Sequence, residues 1–282
     1  SNAVAAGFPV RIATANGKVT IAKQPVRIVS LSPTATEDLF AIGAGPQVIA
    51  VDDQSSYPAA APRTKLSGFT PNVEAIAAYE PDLVVGEAGL LKVAPALGKL
   101  KIPVLVQPTA TRLPDAYAQI RELGRATGRE GAAAALVAKM KKQIAAAVAS
   151  VPKPSKRLDV YHELDPTYYS ATSKTFIGRV YAMLGLRNVA DAADKTGSGY
   201  PQLSAEYIVA ASPDLIVLAD TKCCGQTAAG VVKRAGWDTI PAVKDGGVLE
   251  VSDDIASRWG PRVVSFVRIV AAKVRALATG GG

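Results

Sequence analysis

An α/β fold of two lobes with mainly parallel sheets is what this 282-residue chain predicts, and three observations carry the prediction. One segment occurs twice, 132 residues apart: Glu74–Val85 reads EAIAAYEPDLVV and Glu206–Val217 reads EYIVAASPDLIV, identical at seven of twelve positions. Short β-branched runs alternate with helix-forming stretches along the whole chain, as parallel sheets with crossover helices require. Between the two copies, Arg129–Val151 carries nine alanines, no Pro and no Gly after Gly131. Such a composition favours one continuous helix of about 34 Å, a stiff strut in place of a flexible hinge. Two copies at this distance do not make a solenoid. The predicted organisation is an N-terminal hairpin over 4–23, a first α/β lobe over 24–128, a connecting helix over 129–151 and a second lobe over 152–282. A ligand cleft is expected between the lobes.

The elements follow in order. Val10–Ala22 reads as a hairpin with Asn16-Gly17 as its type I′ turn, and Pro25 ends it. Arg27–Leu31 is a short strand. Ser32-Pro33-Thr34-Ala35-Thr36-Glu37 has N-cap chemistry and opens a helix that Gly43 closes. Val48–Val51 is a strand and Asp52–Arg63 a polar loop. In the first repeat Asn72 caps a short helix, Pro81-Asp82 turns the chain, and a buried strand follows. A helix around Leu90–Leu100, a strand at Val104–Val106 and a helix from about Pro114 to Thr127 complete the lobe. Pro152 and Pro154 end the strut. The second lobe restarts with a strand at Arg157–Tyr161 and a loop at His162–Lys174. A helix over Thr175–Leu184 ends at Gly185. Ser204 caps the second repeat, whose strand at Leu215–Leu218 runs into Asp220–Gly225. A helix near Gly230–Ala235, a strand at Val248–Val251, a loop at Ser252–Trp259 and a helix from about Pro261 finish the chain. Ser1-Asn2-Ala3 reads as a tag-cleavage scar and Gly280-Gly281-Gly282 as a frayed end.

Several function classes lack their parts. The formal charge is +8, yet no dense Lys/Arg run is interleaved with aromatics, which argues against nucleic acid. No run approaches the roughly 18 apolar residues of a membrane span. A single histidine, His162, supplies no metal cluster or catalytic triad. There is no nucleophile elbow, phosphate-binding loop or dinucleotide fingerprint, so no catalytic residue is assigned. The two cysteines, Cys223 and Cys224, are adjacent and not C-x-x-C; they are free thiols or a vicinal disulfide.

Binding is better supplied. Ligands of open parallel sheets lie at the carboxyl ends of the strands. That rule selects Ser32–Thr36, Asp53–Tyr57, Gly86–Gly89, His162–Ser173, Asp220–Gln226 and Asp253–Trp259. Candidate contacts there, together with Phe69 of the loop before the first repeat, are Thr34, Tyr57, His162, Tyr168, Tyr169, Cys223, Cys224, Arg258 and Trp259, aromatic walls with a few polar anchors for a bulky ligand. Any one of them could instead simply cap its sheet. Glu74 and Glu206 complement a helix dipole, worth about 0.3–1 kcal/mol each. Their equivalent positions also place two negative charges where a symmetric basic partner could read both.

The segments RIVSLSPTATE (Arg27–Glu37), NVEAI (Asn72–Ile76) with PDLVV, PQLSAE (Pro201–Glu206) with PDLIV, and SRWGPR (Ser257–Arg262) resemble the extracytoplasmic substrate-binding proteins of ABC importers for ferric siderophores, haem and cobalamin. The resemblance covers nearly the whole chain. It implies two Rossmann-like lobes joined by one long rigid helix, with Glu74 and Glu206 docking onto the permease dimer. Haem binders of the family offer Tyr or His near the loop Ser67–Thr70, where this chain has Phe69. This lowers haem and leaves Tyr57, His162 and Tyr169 as axial candidates. The resemblance therefore implies a monomeric receptor without resident cofactor, whose metal arrives inside a bulky chelate. A ferric siderophore leads, because Arg63 and Arg258 suit an anionic one, with cobalamin a close second. A haem receptor of the same family, a two-lobed enzyme and a sensor are the alternatives. The implied location is extracytoplasmic, either periplasmic or lipid-anchored at the outer face of the cytoplasmic membrane.

Overall fold

The computed structural model describes residues 7–152 and 156–279. The scar-like start, Pro154 and the three terminal glycines lie outside the described residues. By its contacts the chain divides into two units, Ser1–Met140 and Lys141–Gly282, with the boundary inside one helix.

The first unit opens with an antiparallel hairpin, β1 (Val10–Thr14) and β2 (Gly17–Ile21). Its sheet comprises β3 (Ile28–Leu31), β4 (Val48–Val51), β5 (Leu83–Gly86) and β6 (Val104–Val106), all parallel, in the order β4-β3-β5-β6. The second unit contains β7 (Asp159–Glu163), β8 (Arg187–Asn188), β9 (Leu215–Leu218) and β10 (Val248–Glu250), also parallel, in the order β8-β7-β9-β10. Both sheets thus repeat one strand order, with the first strand flanked by the second and third. The chain winding reverses between the first and third strands, which creates a topological switch point at the carboxyl ends of β3/β5 and of β7/β9. Every residue of β3, β5, β7 and β9 is buried, as parallel strands covered on both faces demand.

Helices α1 (Pro33–Ala41), α2 (Val73–Ala77), α3 (Ala94–Lys99) and α4 (Leu113–Thr127) serve the first sheet. Then comes α5 (Glu130–Ala149), 20 residues without interruption and about 30 Å long. Its buried residues are Ala133, Val137, Met140, Ile144 and Ala147, spaced alternately four and three, while Lys139, Lys141 and Lys142 are exposed. The alanine content makes the helix, and this single apolar stripe decides which face packs. Gly124 of α4 lets α5 approach, because a Cβ there would lie 2.5 Å from that of Ala133. The second unit adds α6 (Phe176–Met183), α7 (Ala205–Ala211), α8 (Thr221–Cys224), α9 (Ala228–Val232), α10 (Pro241–Lys244), α11 (Asp253–Ala256) and α12 (Val263–Thr279).

The repeated segment has one construction in both units. Asn72 Oδ1 accepts the Ala75 N–H at 2.8 Å and Ser204 Oγ accepts the Tyr207 N–H at 3.1 Å, capping α2 and α7. Ile76 and Ile208 then enter the two cores, fully buried. Before each proline stands a left-handed residue that is not glycine, Glu80 (φ 49°) and Ser212 (φ 53°). Each following Asp is a clamp. Asp82 accepts the Val26 and Arg27 N–H groups at 2.9 Å, and Asp214 accepts the Asp159 N–H at 2.8 Å. The turn therefore pins the chain entering the neighbouring first strand of its own sheet.

Four expectations need correction. The hairpin turn centres on Ala15-Asn16, neither with positive φ, and Gly17 follows at φ 107°; this is not a type I′ turn around Asn16-Gly17. The Leu90–Leu100 helix is two pieces, a 3-10 turn at Ala88–Lys92 and α3. Pro95 fits the first turn of a new helix and not the interior of an old one. The strand expected to stop at Tyr161 continues through His162 and Glu163. The loop at Ser252–Trp259 contains α11.

Candidate functional site

Each switch point gathers charge under a cover of loops. In the first unit a cavity of about 370 Å³ opens beyond the ends of β3, β4 and β5, lined among others by Asp52, Gln54, Phe69, Glu87 and Lys92. Ser32 does two jobs there. Its Oγ accepts the Ala35 N–H at 3.2 Å, capping α1, and donates to Glu87 Oε1 at 2.8 Å. Burial raises the Glu87 carboxyl above its ordinary range, and the Ser32 hydrogen bond works against that rise. A Cβ on Gly89 would lie 2.3 Å from the Gly68 carbonyl oxygen. This contact fits the 67–70 loop against the strand ends, and Phe69 stands out from it 80 % exposed.

In the second unit the ends of β7 and β9 bring two carboxylates together. Glu163 and Asp220 are both fully buried. Arg234 answers Glu163 with a two-pronged ion pair, both N···O distances 2.6 Å, and also reaches Gln226 Oε1 at 2.8 Å. Its guanidinium lies 4.5 Å from the Trp237 ring centre and 5.6 Å from that of Tyr168. Burial, and then the Glu163 charge, push the Asp220 carboxyl up to about 7. A proton on Asp220 relieves the repulsion between the two carboxylates.

The predicted contacts divide sharply. Tyr57 and Tyr169 are exposed, and Phe69 lines the first-unit cavity. Trp259 is half-buried, its ring 6.4 Å from Phe176. Arg258 donates to Asp254 at 2.7 Å, an ion pair that also takes Lys222 at 2.8 Å. Cys223 and Cys224 are exposed and joined as a vicinal disulfide. Tyr168 is structural, wedged against Trp237 and Arg234. Two residues are corrections. Thr34, in the first turn of α1, is only 4 % exposed. His162 lies inside β7 with no exposed surface, facing the layer opposite Glu163, where Nδ1 meets the Tyr181 hydroxyl at 2.5 Å. Burial drops its pKa to about 3, so it is a neutral core residue; its Nε2 has no hydrogen-bond partner among the described residues. Sequence reasoning missed Glu87, Glu163, Asp220 and Arg234. The strand-end rule marks the segments of Glu87, Glu163 and Asp220; no local pattern marks Arg234, which arrives from between α9 and the following 3-10 turn at Trp237–Thr239.

Glu74 and Glu206 occupy the same second position of α2 and α7, both exposed. Hydrogen bonds from its own N–H and from Ser204 hold the Glu206 carboxyl below the usual range. Among the described residues no three His, Cys, Asp or Glu side chains are grouped to hold a metal ion. No helix among them is long and apolar enough to cross a membrane.

A family model described as periplasmic binding protein matches residues 28–255, spanning both sheets and both copies of the repeat. The chain belongs to that family. It is 35 % identical over 278 residues to an uncharacterized ABC transporter substrate-binding lipoprotein of Bacillus subtilis, covering 95 % of this chain and 86 % of the relative. It is 33 % identical over 269 residues to a cobalamin-binding protein of Halobacterium salinarum, covering 92 % and 72 %. The periplasmic heme-binding protein of Roseiflexus superposes with a TM-score of 0.79 over 90 % of this chain and 100 % of that one, at 23 % identity, which speaks for the fold alone. The family consists of binding proteins that serve ABC importers, not enzymes, and the doubly repeated α/β architecture is its fold.

Proposed function

We propose that this protein captures a corrinoid of the cobalamin type outside the cytoplasmic membrane and hands it to an ABC importer. The observation that carries the reading is the disposition of cations at the strand ends. Arg258 and Lys222 share the Asp254 carboxylate, and Arg234 is locked to Glu163. Of the two cations expected to favour an anionic ferric siderophore, Arg258 is thus neutralised by its own loop, while Arg63 is exposed and donates to the Ser56 carbonyl at 3.3 Å. The second-unit strand ends thus present aromatic side chains whose neighbouring cations are paired, suited to a bulky, nearly neutral chelate that brings its own metal. The similarity to a cobalamin-binding protein supports the same order of cargoes. Quenching of tryptophan emission by cyanocobalamin, haem and a panel of ferric siderophores tests it. Tightest binding of cyanocobalamin is expected; a siderophore binding more tightly would overturn the assignment.

Delivery is assigned to Glu74 and Glu206, which two short capped helices hold exposed at matching positions. The receptor acts as a monomer, and its partner is a permease dimer presenting basic pockets. Replacing both residues by Ala should abolish transport in a reconstituted system while cargo affinity stays unchanged. A loss of affinity comparable to the loss of transport would refute the docking role.

A further inference from the structure

We propose that Cys223–Cys224 is a thiol–disulfide exchange site, opened by a dithiol reductant, and that its redox state decides whether the loop after β9 stays latched to the loop after β10. The disulfide joins neighbours across one peptide bond and closes no chain loop. Its contribution is therefore local: it restricts the backbone of residues 223 and 224 and does little to the unfolded ensemble. Both cysteines are exposed, so a reductant can reach the sulfur atoms.

The latch is made by the residues beside the ring. The N–H groups of Lys222 and Cys223 converge on the Asp253 carboxylate at 2.9 and 2.7 Å. Thr221 Oγ1 donates to the Val251 carbonyl at 3.1 Å, and Lys222 Nζ pairs with Asp254 at 2.8 Å. Two successive amides reach one carboxylate only while the chain keeps its tight turn, and α8 is a single turn with no length of its own to hold it. The sulfur of Cys223 lies 3.8 Å from the Asp220 carbonyl oxygen. In the disulfide it has no proton to give. As a thiol it becomes a donor that competes with the Cys224 N–H, now bonded to that same carbonyl at 3.2 Å. Opening the ring thus frees the turn and changes its donors together. Asp254 carries the effect onward, since it also holds Arg258, which precedes Trp259.

The chemistry balances. A thiolate of the reductant attacks one cysteine sulfur, the S–S bond breaks, and the other cysteine leaves as a thiolate that takes a proton. The reductant's second thiol then attacks the mixed disulfide, releases the second cysteine, and the reductant departs as a disulfide. Two electrons and two protons pass from the dithiol to the protein.

The latch stands independently of cargo; its effect on cargo rests on the corrinoid reading. The test uses dithiothreitol as the dithiol and amide hydrogen exchange as a ligand-free readout. In the reduced protein the Lys222 and Cys223 amides should exchange at least about tenfold faster than in the oxidised one. A Cys223→Ser, Cys224→Ser double variant should match the reduced protein and ignore the reductant. Unchanged exchange on reduction, or a double variant that keeps the oxidised protection, overturns the proposal. Cyanocobalamin affinity should fall roughly fivefold or more on reduction, and equal affinity in the two states overturns the link to cargo. If cyanocobalamin binds neither state while exchange still responds, the corrinoid reading falls and the exchange site stands.

Discussion

Asp220→Asn removes one charge from the buried pair and should change how stability depends on pH. An ordinary aspartate titrates near 3.8, whereas Asp220 is pushed up to about 7 by burial and Glu163. Between those values the native state holds a proton that the unfolded chain has lost, so stability must fall as pH rises through that window. At about 1.4 kcal/mol per pH unit the full gap corresponds to roughly 4 kcal/mol, so an effect of roughly 2–4 kcal/mol is expected. Asparagine is neutral throughout and can donate an amide proton to Glu163. The difference in stability, variant minus wild type, should be near zero at pH 4, grow through pH 5 and 6, and level off above pH 7. Both tryptophans lie in the second unit, so urea titration followed by their emission reports the right half of the molecule. A midpoint gain of about 1 M at pH 8 is expected. A difference that stays flat from pH 4 to 8, or a variant weaker than wild type at pH 8, would refute the raised Asp220 carboxyl.

His162 supplies the opposite slope. Its pKa falls from 6.5 to about 3 on folding, so stability is lost as pH drops below about 6.5, and His162→Gln should flatten that limb in the same assay. Arg234→Met leaves the fully buried Glu163 without its cation and should cost about 3–5 kcal/mol at pH 7, part of it recovered by adding Glu163→Gln. Asp214→Ala frees the Asp159 N–H and should cost about 1–3 kcal/mol by thermal unfolding, without altering cargo affinity. Ser212→Gly removes a left-handed side chain and should gain up to about 1 kcal/mol, read as a rise in melting temperature.

Much of the architecture was legible because it rests on local chemistry. Asn72 and Ser204 announce their helices, Pro81 and Pro213 end them, and the runs that follow are apolar enough to be strands buried on both faces. Alanine content predicted α5 without indicating its buried stripe. β8 was missed because two polar residues, Arg187 and Asn188, carry no strand pattern; they pair only because β7 presents an open edge. Nothing in the sequence marks the end of β7 at Glu163, so His162 reads as a loop residue although it lies in the strand. Alternation along β7 would have set it opposite Tyr161 and Glu163, had the strand end been known. The type I′ reading of Asn16-Gly17 failed for a related reason: register, not dipeptide preference, decides which residues sit at the tip.

The sequence by itself determined the two repeated α/β units and the glutamate at the head of each repeat, because caps, turns and apolar runs act over a few residues. Only the tertiary structure decided which charges remain available. Arg258 looks free in the chain and is paired by Asp254; Asp220 looks like an ordinary loop acid and is buried against Glu163. Charge is set by what lies within a few ångströms in space, and the partners here come from different strands and loops, a proximity that spacing along the chain does not encode.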